Sequence, residues 1–497
     1  MPEATWLRAS ITTAALTLGL AACAGETASG AQPLRGALYT GFTLIDPVER
    51  TVSEDAWLVV EEGRIAAFGA GPSPEGAFSE LHELSGHYAL PGFIDVHGHL
   101  TAGPHAVQIL DGQPTVTIDS VDEISEFNAR MALAFGVTTV RNPGADPEAS
   151  AAYDIRVSTG EWTGPDAYHA GAVIQPPPFG GAAFDYPRTE EDWRAEAARQ
   201  AALGMRYFKL YQGLTEAELE VGARVAHEHG LEPIAHLDEV SWTRAAELGV
   251  RGFLHALPTS PELLEPDVRE DYINGRSPDS RFMYQWFERV EFDGPQMQAL
   301  FTTLAETGAT VDLTLQVNAL MTGPDAVERV YPPEHRSYIH PQTLEGLLSF
   351  GAMALADWTE KDTERAEAAM ARVFEFARRL DAAGVPIGIG TDGPGGGPSF
   401  GTELELMVDA GFETWRVLEL ATAGGARVMG LEHQTGRWAA GYEADFVFLR
   451  ANPLDDITHA RDVGWVMSNG KLHDVNPLTH DVATSGEAAR PVTSAPR

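Results

Sequence analysis

Two histidines separated by one glycine, His97-Gly98-His99, close the apolar run Pro91-Gly92-Phe93-Ile94-Asp95-Val96. Alternate residues of a strand point the same way, so both imidazoles leave on one side, and Gly98 lets them approach a common point. Two imidazoles aimed at one point make half of a metal site. Other chemically active residues end apolar runs in the same manner: Lys209 in Phe208-Lys209-Leu210-Tyr211, His236 after Ala235, His255 after Leu254, and Asp392 in Gly390-Thr391-Asp392-Gly393. A lysine inside an apolar strand is costly to bury as an ammonium ion, so it must be paired, deprotonated or modified. Neutral Lys209 can take up carbon dioxide as a carbamate, whose two oxygens can bridge two metal ions. The plainer alternatives are a lysine reaching to the rim or pairing with Asp392.

Other polar residues carry weaker signals. His227 and His229 lie two apart on a helical stretch, where such positions diverge, so they read as surface residues. His169, near the end of an apolar run, and Tyr211, beside Lys209, are candidates for substrate contact. His335 and His340 with Arg329 and Arg336 form a positive cluster that reads as a solvated loop, with a substrate carboxylate as its alternative partner.

Positioning these residues calls for a strand under each one. A phrase of glycine, short apolar run, polar terminus and helical pattern occurs eight times. Its strands are Leu90 to His99, Gly136 to Asn142, Asp166 to Ile174, Met205 to Tyr211, Leu231 to His236, Val250 to His255, Ala309 to Val317 and Val385 to Asp392. Helical periodicity is clearest in Asp192 to Leu203, Glu216 to His229 and Glu360 to Ala383. Eight such units predict an α/β fold with a (β/α)8 TIM-like barrel, and no glycine-rich phosphate loop follows the first strand to favour a doubly wound sheet. Two long aromatic segments, Pro258 to Gly294 and Asn318 to about Met353, read as loops over the C-terminal face and as walls of a substrate pocket. Short alternating runs at both ends of the chain predict a small β-sandwich shared by its N- and C-terminal segments.

The strand-one motif, Lys209, His236, His255 and Asp392, together with Ala421-Thr422-Ala423-Gly424-Gly425-Ala426 and Gly441-Tyr442-Glu443-Ala444-Asp445-Phe446, resemble the amidohydrolase superfamily, in its imidazolonepropionase-like and prolidase-like branch. The likeness spans roughly residues 34 to 475. It implies two divalent metal ions, zinc by type, with His97, His99 and Asp392 on the inner ion, carboxylated Lys209 bridging, and His236 and His255 on the outer ion. Two divalent cations against carbamate, aspartate and hydroxide leave about one positive charge to stabilise an oxyanion. The ions also bring bound water to a pKa of about 7, and Asp392 would carry its proton to the leaving amine. The implied reaction is hydrolysis of an amide bond in a dipeptide, an N-acyl amino acid or a cyclic amide. The same site would also serve a lactone or phosphotriester. Glu239, three residues after His236, resembles the proton shuttle of mononuclear deaminases in the same superfamily. A helix-start carboxylate is the alternative reading of that residue. A solute-binding lipoprotein, the reading from outside the enzymes, would need neither the aspartate nor the lysine.

Composition agrees with a folded enzyme. The 497 residues are 44% hydrophobic and 21% charged, which excludes disordered and fibrous classes. A formal net charge of −38 opposes nucleic-acid binding and attraction to anionic lipid. The single cysteine, Cys23, excludes an intramolecular disulfide and a cysteine-rich zinc cluster. It ends the apolar stretch Ile11 to Ala22 within Leu20-Ala21-Ala22-Cys23, which resembles a bacterial lipoprotein signal, with an ordinary cleaved signal peptide as the alternative. The resemblance implies lipidation of Cys23 and a protein tethered in the cell envelope, touching the membrane only through that anchor. The expected organisation is a signal peptide at 1–22, a linker at 23–33, sandwich strands at 34–90, the barrel at 91–430, the second sandwich part at 431–475 and a polar tail at 476–497. A homo-oligomer is compatible with this reading.

Overall fold

The computed structural model describes residues 34–110, 113–323, 325–394 and 397–484. The signal-like segment, the linker with Cys23 and the last thirteen residues therefore lie outside the described residues.

Eight short parallel strands form the centre: Phe93–Asp95, Val137–Asn142, Asp166–His169, Tyr207–Leu210, Glu232–Ala235, Gly252–Phe253, Thr310–Asp312 and Ile387–Gly388. Parallel ladders join the first three and the last five. The third and fourth meet at an Ala170–Tyr207 bridge, where Arg206 N donates to His169 O at 2.8 Å. The ring closes where Val96 N donates to Ile389 O at 2.9 Å and Gly98 bridges Gly393. The barrel expected from the eight repeats is thus present, and its closure sets His97 beside the strand that leads to Asp392.

The outer helices start where their capping residues dictate. Thr189 with Asp192, Thr215 with Glu218 and Thr359 with Asp362 form reciprocal capping boxes that open Glu190–Ala202, Glu216–Glu228 and Glu360–Ala382. These helices lie within two residues of the stretches read from periodicity. Their apolar faces pack on the barrel; Phe376 touches Trp242, Phe292 and Phe301 at 5.9 to 6.1 Å between ring centroids.

Both ends of the chain share one eight-stranded sheet. Tyr88–Pro91 is its seam, parallel to Leu34–Asp46 on one side and antiparallel to Phe446–Leu449 on the other. This sheet has its own core, in which Phe42, Phe446 and Phe448 surround Trp438.

Four segments differ from the sequence reading. The seventh strand stops at Asp312, and Leu315–Leu320 is already helical. The two long loops are largely helical, with Pro266–Gly275 and Arg281–Phe287 in one, and Ala326–Val330 and Pro341–Ala354 in the other. Proline at the first turn of two of them starts a helix where the composition suggested a loop. The tail read as polar from Asn476 begins inside the helix Val475–Thr484, where Leu478 O accepts from Arg130 Nη1 at 3.2 Å. A hairpin of His105–Leu110 and Gln113–Ile118 rises after the first barrel strand, and His105 stacks on Phe350 with ring centroids 5.4 Å apart. No helix among the described residues is long and apolar enough to cross a membrane.

Candidate active site

The ends of five barrel strands deliver the six residues singled out by the sequence. His97 and His99 follow the first strand, Lys209 lies in the fourth, His236 follows the fifth, His255 the sixth and Asp392 the eighth. The imidazoles form a continuous arc, with ring centroids 5.4 Å apart for His97–His99, 4.6 Å for His97–His255 and 4.5 Å for His255–His236. Tyr211 continues it, 4.7 Å from the His236 ring.

Asp392 is the focus. Its Oδ1 lies 2.9 Å from His97 Nε2 and 3.0 Å from His99 Nε2, and its Oδ2 lies 3.8 Å from His255 Nδ1. Donor atoms of His97, His255 and Asp392 fall within 4.8 Å of one another. Left-handed backbone at His255 (φ 72°), Thr314 (φ 37°) and Asp392 (φ 48°) is strained for non-glycine residues and is concentrated around this cluster.

Hydrogen bonds behind the rings fix which nitrogens face inward. His97 Nδ1 lies 2.9 Å from Asp312 Oδ2, and His99 Nδ1 lies 3.0 Å from Gly144 O. A carbonyl can only accept and the Asp312 carboxylate is ionised, so each Nδ1 carries a proton and each Nε2 faces Asp392. His236 Nδ1 is buried without a hydrogen-bond partner. Orphaned imidazole nitrogen and lone pairs converging on a carboxylate oxygen fit a divalent cation of the zinc type.

Electrostatics follow from burial. Burial drives His236 well below the usual histidine range and His255 to about 3, and it also lowers His99, so these rings are neutral donors. Burial acts on His97 in the same direction, but Asp312 and Asp392 outweigh it and raise its pKa. Burial would raise Asp392, yet His97 and His255 hold it well below the usual carboxylate range. Lys209 is lowered to about 8, first by burial and then by Arg141, against the pull of Asp392 and Asp312. Its Nζ lies 5.2 Å from the centre of the Tyr211 ring.

The remaining candidates stand apart. His169 has both ring nitrogens engaged, with Asn142 Nδ2 and Asp154 Oδ1 each at 2.9 Å. Glu239 pairs with Arg276 at a half-exposed position. His227 Nε2 contacts Gly249 O at 2.9 Å. The positive cluster is dispersed: Arg329 donates to Thr322, Arg336 to Tyr331 O, and His340 meets the edge of Phe127.

Several functional residues escaped the sequence reading. Asp312, fully buried, accepts from His97, from Arg141 Nη2 at 2.8 Å and from His255 N at 2.8 Å. Asp95, raised to about 6 by burial, accepts from His97 N at 3.0 Å and from Thr391 Oγ1 at 2.8 Å, joining the first and eighth strands. Glu403, pushed well up by burial, receives Leu315 N and Gln316 N beside Thr314, whose Oγ1 lies 3.0 Å from His255 Nδ1. The available signal was an acid inside an apolar run, as in Val311-Asp312-Leu313.

Comparison with known proteins agrees with this geometry. The sequence profile of the Amidohydrolase family matches residues 353–473. An imidazolonepropionase of Streptomyces coelicolor is 25% identical over 414 residues, covering 80% of this chain and 86% of that protein. Among solved structures, a Xaa-Pro dipeptidase with bound methionine superposes with a TM-score of 0.62 at 20% identity, covering 88% of this chain and 99% of the other. A bottromycin amidohydrolase superposes with a TM-score of 0.65 at 22% identity, covering 90% of both. The chain is thus an enzyme similar in sequence to the Amidohydrolase family over residues 353–473 and to imidazolonepropionase over most of its length, and it shares the barrel fold of the solved Xaa-Pro dipeptidase.

Proposed function

We propose that the protein is a binuclear metal-dependent hydrolase that cleaves the amide bond of a dipeptide, an N-acyl amino acid or a cyclic amide. The observation that carries this reading is the convergence of His97 Nε2 and His99 Nε2 on Asp392 Oδ1. His97, His99 and Asp392 would hold one ion, His236 and His255 a second, and carboxylated Lys209 would join them. When bound, such ions supply hydroxide at neutral pH and polarise the scissile carbonyl.

The chain's own residues do the rest. Asp392, held well below the usual carboxylate range by His97 and His255, would take the proton of the attacking water and return it to the leaving nitrogen. Lys209 is neutral in an appreciable fraction near pH 8, the state from which a carbamate forms. Tyr211, half-buried against His236 and beside Lys209, would form one wall of the substrate site. The hairpin residue His105, stacked on Phe350, forms part of the rim.

A test is incubation of zinc- and bicarbonate-loaded protein with pooled dipeptides, N-acyl amino acids and cyclic amides, with products read by mass spectrometry. Free amino acids, absent with Asp392→Asn, are the expected result. Hydrolysis of lactones or phosphotriesters alone would transfer the reading to those esters. Mononuclear deamination requires Glu239 at the site, and its pairing with Arg276 weighs against that chemistry.

Lipid anchoring at Cys23 and a cell-envelope location belong to the same proposal and rest on the Leu20-Ala21-Ala22-Cys23 motif. Cys23→Ala should move the protein from the membrane fraction to the soluble one.

A further inference from the structure

Three residues after the helix Pro295–Thr307 ends, the chain returns through Thr310–Asp312, and the last residue of that strand is a carboxylate with no access to solvent. Asp312 Oδ2 takes His97 Nδ1 at 2.9 Å and Arg141 Nη2 at 2.8 Å, while Oδ1 takes the backbone N–H of His255 at 2.8 Å. Arg141, on the second strand and equally buried, also donates its Nε to Val96 O at 2.6 Å, directly before His97. One carboxylate therefore ties the first, second, sixth and seventh strands together at the level of the histidines.

We propose that Asp312, clamped by Arg141, is the positioning residue that sets the tautomer of His97 and the placement of His255, and so governs metal capture by the whole cluster.

The chemistry follows from the donor inventory. A carboxylate offers only acceptors, so it fixes the proton on His97 Nδ1 and leaves Nε2 for the ligand. It also makes the imidazole a stronger electron donor. Arg141 is planar and permanently charged, and it holds a buried carboxylate in the ionised form that this role requires. The His255 contact is to the backbone, at a residue with φ 72°, so Asp312 also supports a strained conformation that aims the second imidazole. The proposal rests on the metal reading of the site, and it assigns to that site an organising residue outside the ligand set.

The test compares wild type with Asp312→Asn, Arg141→Met and Arg141→Lys. Asparagine keeps the shape but can turn an N–H toward His97 Nδ1, favouring the tautomer whose lone pair faces away from Asp392. Zinc affinity is measured by chelator competition, and the visible spectrum of the cobalt-substituted proteins reports the coordination sphere. Thermal unfolding of the metal-free proteins monitors the fold. The expected result is a loss of about 10- to 100-fold in zinc affinity for Asp312→Asn, with an altered cobalt spectrum. Arg141→Met should weaken zinc binding, and Arg141→Lys should retain more of it because the charge remains. Zinc affinity and cobalt spectrum equal to wild type in Asp312→Asn would overturn the proposal while leaving the metal reading intact. Wild type that binds neither metal would overturn both. Should Asp312→Asn fail to fold, the Arg141 pair decides: equal affinities for Met and Lys, both matching wild type, would sink the role.

Discussion

His97 Nε2 and Asp392 Oδ1 lie 2.9 Å apart across the seam that closes the barrel, and the opposite nitrogen of the same ring is held 2.9 Å from Asp312. The gap is built for positive charge. Asp312 and Asp392 raise the His97 pKa from either side, and a divalent cation would be drawn to the same place.

Chelation should therefore remove activity and lower the unfolding temperature, and zinc should restore both. Saturation at 100 to 1,000 times Kd contributes about 3 to 4 kcal/mol to the folded state. Asp392→Asn removes the proton carrier and should lower kcat by about 10²- to 10⁴-fold. Steady-state kinetics with metal content measured on the same samples check both effects. Full turnover in the chelated protein would remove the metal from the reaction.

Lys209 gives the centre a pH dependence during loading. Its ammonium form prevails below about pH 8 and its amine above, since burial lowers it from the usual lysine range. Carbamate formation needs the amine. Reactivation of metal-free protein by zinc and bicarbonate should therefore quicken as pH rises through about 8 and be slow at pH 6.5. Lys209→Arg, which stays charged at every accessible pH, should not reactivate. A reactivation rate independent of pH and bicarbonate would separate Lys209 from metal loading.

The barrel and the inward residues were legible because each strand end couples an apolar run to one incongruous polar residue. His97, Lys209, His236, His255 and Asp392 all announce themselves in this way. Asp312 carries the same signal, an acid between Val311 and Leu313, but the apolar run continues to Val317 and hides the end of the strand. The hairpin at 105–118 was signalled by two alternating runs around an Asp-Gly pair, a pattern that competes poorly with the longer repeats around it. His169 was ambiguous for a different reason. Sequence gives its place near the end of the third strand, whereas its role is decided by Asn142 and Asp154, which only folding brings together.

Glu239 separates hydrolysis from deamination. Its carboxylate is engaged by Arg276 and its side chain is 53% exposed, so Glu239→Gln should change kcat/KM by less than about twofold, as surface changes away from a site do. A deaminase using it as the proton shuttle would lose about 10²-fold or more. Amide turnover and ammonia release measured on one preparation of the variant distinguish the two.

Space behind the first strand offers a way to disturb the centre without touching a ligand. A Cβ on Gly390 would come within 2.6 Å of His97 Cβ and 3.1 Å of His97 N, with Thr314 Cγ2 also at 3.1 Å. None of these contacts is the free end of a flexible side chain. Gly390→Ala must therefore push His97 away from Asp392 or move the Thr314 turn that holds His255. The expected result is a weaker zinc affinity with a destabilisation of about 1 to 3 kcal/mol, the usual cost of overpacking. Zinc titration and thermal unfolding of metal-free Gly390→Ala read the two effects separately. Wild-type affinity in a destabilised variant would mean that the strain is absorbed elsewhere and that His97 is not held by contact with the eighth strand.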